Sequence, residues 1–351
     1  MTVTKRRRRT ARRIALVIAC TSVVAGAVSA TMGTAAATDH SQGYQGFKSH
    51  TITEQVALTA DGPADQKLSA VVYEPTRRPA RGIQVMVPGA TYDHRYFDLK
   101  TSHGWVSQAR QSAKEGWIAV AVDRLGTGNS SRPPADELND TVHALTVHDL
   151  VTRLKATYKG LPVALVGHSQ GSAIAIQEAA TYKDVNAIVV TGLLHHFGVA
   201  AGLFSTLIQP AASDPKFENH SVPPGYLTTQ DGLRHLFYWP YNADLSTVKA
   251  DDAAKQTTTA GEATDFQAEV AKDAFGQDVS APVLSVIGDH DFTFFNPDQR
   301  DKAVAAAPAS YPASPDAEVK VIPDTGHDLA LHRNADSTTH TIDHWLADKL
   351  R

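Results

Sequence analysis

From residue 50 onward the chain moves between two kinds of hydrophobic pattern. His50 to Thr59 and Lys67 to Glu74 alternate polar and apolar residues with period two, and the turn signal Asp61-Gly62-Pro63 separates them. They predict an antiparallel pair at the start of the fold. Short apolar runs then take turns with helical periodicity. Strands are predicted at Ile83 to Val87, Trp117 to Val122, Val163 to Val166 and Val185 to Val190. Helices are predicted at about Thr101 to Glu115, Leu138 to Tyr158 and Ala173 to Tyr182. In the second of these, Val142, Leu145, Leu150, Val151 and Leu154 recur at helical spacing. Alternation of this kind implies an α/β fold, with a mostly parallel sheet covered by helices on both faces.

The alternation stops at about Leu193 and returns with Pro282 to Ile287 (strand), Asp298 to Ala306 (helix), Val319 to Ile322 (strand) and Ala335 to Leu350 (helix). Between them, residues 193–278 have no clear strand but hold ten aromatic residues, among them Phe197, Phe204, Tyr226, Phe237, Trp239 and Phe266. The expected organisation is a core in two parts, 38–192 and 279–351, interrupted by a mainly helical cap at 193–278. At least half of the aromatic residues are expected to fill the cap's own interior. The rest would wall an apolar pocket.

The first residues do not belong to this pattern. A basic cluster (Lys5, Arg6 to Arg9, Arg12, Arg13) precedes an apolar run from Ile14 to about Gly33, and Ala35-Ala36-Ala37 ends it with small residues. That order of regions is a secretory signal, 1–37, cleaved near Ala37/Thr38, with Val28-Ser29-Ala30 as a second cleavage point. Arg12-Arg13 leaves a twin-arginine route open. Cys20 looks like a lipid-attachment point, but Arg13 leaves too short an apolar run before it. The run also holds Thr, Ser and Gly, which makes a weak permanent anchor.

The leader changes the charge arithmetic. The whole chain has a formal charge of −4, but the leader holds seven of its 33 Lys and Arg residues and none of its 37 Asp and Glu residues. The remainder therefore carries −11 and no cysteine. Such a chain tolerates an oxidising exterior and argues against nucleic acid and anionic membranes as partners. A secreted location is expected, with no stable membrane insertion after cleavage. The oligomeric state is not legible.

One stretch carries chemistry. Val163 to Val166 is an apolar strand, Gly167-His168-Ser169-Gln170-Gly171 follows, and a helix begins at once. A sharp strand-to-helix turn lifts the serine above the sheet, and glycines flank it because bulkier neighbours would clash. The N-terminus of the following helix favours negative charge at the same spot. In this context the chain resembles the α/β-hydrolase family, over nearly all of its length after the leader. The family's order is nucleophile, acid, histidine. Ile287-Gly288-Asp289-His290-Asp291 follows the Pro282 strand and Thr325-Gly326-His327 follows the last one. The resemblance implies Ser169 as nucleophile, Asp291 as acid, with Asp289 as runner-up, and His327 as base. It also implies an oxyanion hole from the backbone N–H groups of Ala90 and Gln170. Pro88-Gly89 stands where the family often has His-Gly, and Thr91 is the alternative to Ala90.

Other motifs are read as structural. Asp123 to Ser130 contains Gly126-x-Gly128, but no third glycine follows and Pro133-Pro134 prevents an immediate helix, so no nicotinamide site is expected. His168, His332 and His344 lack the position of His327. His195-His196 are expected to be cap residues and not metal ligands. No cofactor is expected. The expected activity is hydrolysis of a carboxylic ester or lactone of a moderately apolar small molecule. A peptidase, amidase or acyltransferase would use the same triad, and a non-catalytic binding protein could share the fold. A dehalogenase or epoxide hydrolase is disfavoured because its nucleophile is a carboxylate.

Overall fold

Eight strands make the central sheet: β1 (Phe47–Val56), β2 (Gln66–Pro75), β3 (Gly82–Val87), β4 (Trp117–Asp123), β5 (Val163–His168), β6 (Ala187–Thr191), β7 (Val283–Gly288) and β8 (Ala317–Ile322). The computed structural model describes residues 46–218, 222–272 and 274–351, so the leader, its cleavage points and Cys20 lie outside the described residues. The strand order is β1-β2-β4-β3-β5-β6-β7-β8. β1 pairs antiparallel with β2, and β2 antiparallel with β4. The strands from β4 to β8 are mutually parallel.

The period-two geometry of a strand sorts the apolar residues onto two cores. Ile83, Val85 and Val87 of β3 join Leu165 of β5 on one face, under α2 (Asp140–Thr157) and α3 (Gln170–Tyr182). Met86, Ala164 and Val166 join the other core, against Ala109 and Ala113 of α1 (Gln108–Lys114) and Ile342 and Trp345 of the last helix, Ala335–Lys349. Both faces are covered, so the middle strands β3 to β7 are buried along their length. Each fully buried Val or Ile contributes about 1.5–3 kcal/mol.

Two expectations are corrected. The helix expected over Thr101 to Glu115 is only its second half. Leu99–Thr101 and Gly104–Val106 form a hairpin instead, and Ser107 caps α1 by accepting the Arg110 N–H at 3.0 Å. The insertion is not strandless: Ile208–Pro210, Tyr226–Thr229 and Thr257–Thr259 form a three-stranded antiparallel sheet. Strands of three or four residues are too short to display alternation. Among the described residues no helix is long and apolar enough to cross a membrane.

Candidate active site

Ser169 sits between β5 and α3 with φ 51° and ψ −118°. That left-handed conformation is costly for a residue with a side chain, and close backbone contacts hold it. A Cβ at Gly167 would lie 2.4 Å from the Gly171 carbonyl oxygen, and one at Gly171 would lie 2.1 Å from the Val87 carbonyl oxygen. Only glycine fits at either place. The Ser169 N–H donates to the Thr191 carbonyl at 2.8 Å. Gln170 is the first residue of α3, where an N–H has no acceptor in its own helix.

His327 follows β8, and Asp291 follows β7. His327 Nδ1 and Asp291 Oδ2 are 2.9 Å apart, and Asp291 is buried. Burial opposes the imidazolium, but the Asp291 charge and hydrogen bond, with Asp328 behind, hold the His327 pKa above its ordinary value. Asp289 is engaged elsewhere: its Oδ1 accepts the Thr325 N–H at 3.0 Å and pins the loop that carries His327. The insertion grips the same loop, since the Phe237 carbonyl accepts the His327 N–H at 2.8 Å. Ser169, Gln170, Ala90 and His327 line one cavity. Its other walls are mostly apolar residues of the insertion, including Phe197, Leu207, Phe237 and Phe266.

Ala90, and not Thr91, faces this cavity. Thr91 is buried with φ 61°, and its Oγ1 accepts a hydrogen bond from Arg234 at 3.0 Å. Arg124, just past β4, holds the loop from beneath. Its Nε donates to the Pro88 carbonyl at 3.1 Å and its Nη2 to the Gly89 carbonyl at 3.0 Å. A trans peptide keeps its N–H opposite its C=O, so the Ala90 N–H faces away from Arg124. The third nitrogen of Arg124 donates to Glu262, on the insertion helix Ala260–Val270. Sequence reasoning weighed the Asp123 to Ser130 segment only for its glycines and missed this arginine. The segment folds onto Asp123 itself, whose Oδ2 accepts the Asn129 N–H at 2.9 Å.

The other histidines weighed in the sequence have places of their own. His168 is buried, its ring stacked on Tyr96 at 4.1 Å, and burial holds its pKa well below the ordinary value. His332 Nε2 accepts the N–H groups of Trp239 and Gly326 at 2.8 and 3.0 Å. His344 is exposed. His195 packs against Phe275 and Tyr311, and His196 is exposed.

The profile of the alpha/beta hydrolase fold family matches residues 88–333. The chain belongs to the α/β-hydrolase fold family. No curated protein matches the sequence. Among solved structures, this α/β hydrolase is similar to a soluble variant of monoglyceride lipase from Saccharomyces cerevisiae in complex with a substrate analog. The two are 17% identical with a TM-score of 0.61, covering 84% of this chain and 95% of that one. A thermostable carboxyl esterase from Bacillus coagulans is 19% identical with a TM-score of 0.58, covering 86% and 99%. A monoacylglycerol lipase from Paleococcus ferrophilus is 17% identical with a TM-score of 0.58, covering 80% and 99%. At such identities the likeness establishes the fold.

Proposed function

We propose that this α/β hydrolase is a secreted serine esterase acting on carboxylic esters of moderately apolar small molecules. The observation that carries the reading is one cavity lined by Ser169, on its strained turn, and by His327, whose ring is tied to Asp291 at 2.9 Å. Ser169 Oγ attacks the ester carbonyl while His327 Nε2 takes its proton. Asp291 keeps the imidazole tautomer and stabilises the imidazolium. The N–H groups of Ala90 and Gln170 receive the developing oxyanion, and each such donor is worth on the order of 100-fold to 1000-fold in rate. His327 then protonates the leaving alcohol, and water releases the acyl group by the reverse route.

The insertion at 193–278 acts as a cap. Phe197, Leu203 and Leu236 line the cavity and are also exposed, at 38%, 49% and 50%, which suits an apolar substrate entering between them. Esterases and monoacylglycerol lipases among the similar structures support the ester reading over the amide one. The basic and apolar leader supports export, with cleavage near Ala37/Thr38.

The test is hydrolysis of p-nitrophenyl esters from acetate to palmitate, beside aminoacyl anilides, with Ser169→Ala as control. Ester cleavage lost in the variant is expected, and the chain-length profile sizes the pocket. Activity retained by Ser169→Ala, or cleavage of anilides alone, overturns the proposal. Asp291→Asn is expected to lower kcat by roughly 10⁴-fold through the wrong tautomer. Asp289→Asn should cost far less, and the reverse order would move the acid.

A further inference from the structure

Away from the cavity, three metal-ligating side chains meet where α2 and α3 pack together. His148 on α2, Glu178 on α3 and Asp184, just past the end of α3, place one ligand atom each within 4.8 Å of one another. Glu178 is fully buried, and among the described residues neither of its carboxylate oxygens has a hydrogen-bond partner. His148 Nδ1 lies 3.7 Å from Glu178 Oε1 and 3.4 Å from Asp184 Oδ2, yet it too makes no hydrogen bond. The Tyr182 ring stacks on the imidazole at 3.8 Å and fixes its plane. Lys155 Nζ lies 3.3 Å from Asp184 Oδ2 and also donates to the Asp184 backbone carbonyl, but it makes no hydrogen bond to Glu178. A buried acid without a donor is costly, and so native interiors rarely leave one.

We propose that His148, Glu178 and Asp184 form a site for a divalent cation of the zinc class, with water as the fourth ligand. The donor set is one imidazole nitrogen and two carboxylate oxygens, which zinc accepts. Ligands at zinc distances of about 2.0–2.2 Å on a tetrahedron lie about 3.3–3.6 Å apart. The separations of 3.4 and 3.7 Å need little adjustment to meet that. A cation there also faces the negative end of α3. The ion would staple α2 to the helix whose first turn follows Ser169.

A second cluster of the same ligand types is already satisfied by protein donors. Asp93, His94 and Asp123 are equally close, but their groups are taken. Arg95 donates to both oxygens of Asp93, His94 Nδ1 meets Asp123 Oδ1 at 2.6 Å, and Asp123 Oδ2 accepts the Asn129 N–H. The rival for the Glu178 cluster is a proton. Burial, with the Asp184 charge beside it, pushes Glu178 up to about 9, so without a cation it stays protonated.

The experiment is calorimetric titration of the purified, chelator-treated protein with Zn²⁺, repeated on Glu178→Gln and His148→Ala. One ion bound per chain is expected, with a rise in Tm, and both effects lost in each variant. Should Glu178→Gln not fold, the partly exposed His148 carries the test. Binding that persists in both variants places the ion elsewhere and overturns the proposal. Absence of binding by the wild type also overturns it and leaves the proton as the partner of Glu178.

Discussion

Two buried arginines hold the loop after β3, and they hold it in different ways. Arg124 comes from the core and reaches up to the insertion. It grips two backbone carbonyls, Pro88 and Gly89, and ends on Glu262. Arg234 comes from the insertion and reaches down to the core. It donates to the Thr91 hydroxyl, lies over the Tyr92 ring at 3.9 Å, and sits 3.0 Å from Asp251. Their carboxylates differ as well. Burial opposes the charge on Glu262, but Arg124 and His143 outweigh it and hold its pKa at about 2. Asp251 is pushed up to about 6 by burial, because it shares Arg234 with a second acid, Asp328, which Tyr92 joins by a 2.7 Å hydrogen bond. One arginine is matched to one acid and aims a backbone N–H. The other balances two acids and holds side chains. The comparison assigns Arg124 to rate and Arg234 to stability.

Removing the arginines tests that assignment most strongly. Arg124→Met frees the Gly89–Ala90 peptide and leaves buried Glu262 without its guanidinium, held by His143 and the Thr259 N–H at 2.8 and 2.7 Å. The kcat for ester hydrolysis should fall on the order of 100-fold to 1000-fold with little change in KM, as for a lost oxyanion donor. Stability should fall by about 3–5 kcal/mol, as when one member of a buried pair is removed. Arg124→Lys keeps the charge but not the fork of donors, so it should recover stability more than rate. Arg234→Met should lose similar stability and retain kcat within about tenfold, because Ala90 keeps its grip from below. Equal losses of kcat in the two, measured beside denaturant unfolding, would break the comparison.

Neither arginine was legible as a partner of the loop, for a physical reason. Gly167, Ser169 and Gly171 stand out in the sequence because they fall together in one five-residue turn, where a Cβ at Gly167 would meet the Gly171 carbonyl and one at Gly171 the Val87 carbonyl. Asp291 and His327 stand out because each falls a few residues after a strand, Val283–Gly288 and Ala317–Ile322, where the resemblance to the family places its acid and its histidine. Arg124 is separated from Glu262 by 138 positions, and Arg234 from Thr91 by 143. Such pairs leave no periodic trace. The insertion hides more than the core because its strands are short and its buried acids, Asp251 and Glu262, lie on helices that show no clean apolar face. Thr91 came into view only as a candidate donor to the cavity. Its side chain instead ends the reach of Arg234.

The pH dependence of stability separates the two networks more gently. Glu262 has its pKa depressed from 4.5 to about 2, so its contribution is present above pH 4.5 and lost as pH falls through 2. Asp251 has its pKa raised from 3.8 to about 6, so its contribution is full below pH 3.8 and lost as pH rises through 6. Asp251→Asn removes that loss. The difference in Tm between variant and wild type should grow between pH 4 and pH 6, reaching several degrees in favour of the variant. A constant difference across that window would mean that Asp251 is already ionised throughout it.

The smallest effect isolates one hydrogen bond. Thr91 holds φ 61°, a strain that any β-branched residue shares. Thr91→Val therefore keeps the shape and the strain and deletes only the hydroxyl. Arg234 Nη1 is not stranded by the change, since Thr229 Oγ1 lies 3.2 Å away and the Thr91 carbonyl 3.4 Å away. The loss should be about 1.5 kcal/mol, the lower end for a bond to a charged group. Because the hydroxyl belongs to the side that holds side chains, kcat should stay within about threefold of the wild type. A larger fall in kcat at unchanged stability would show that the strained Thr91 backbone, gripped from above, helps to aim the Ala90 N–H. The division between the two arginines would then fail at the residue that joins them.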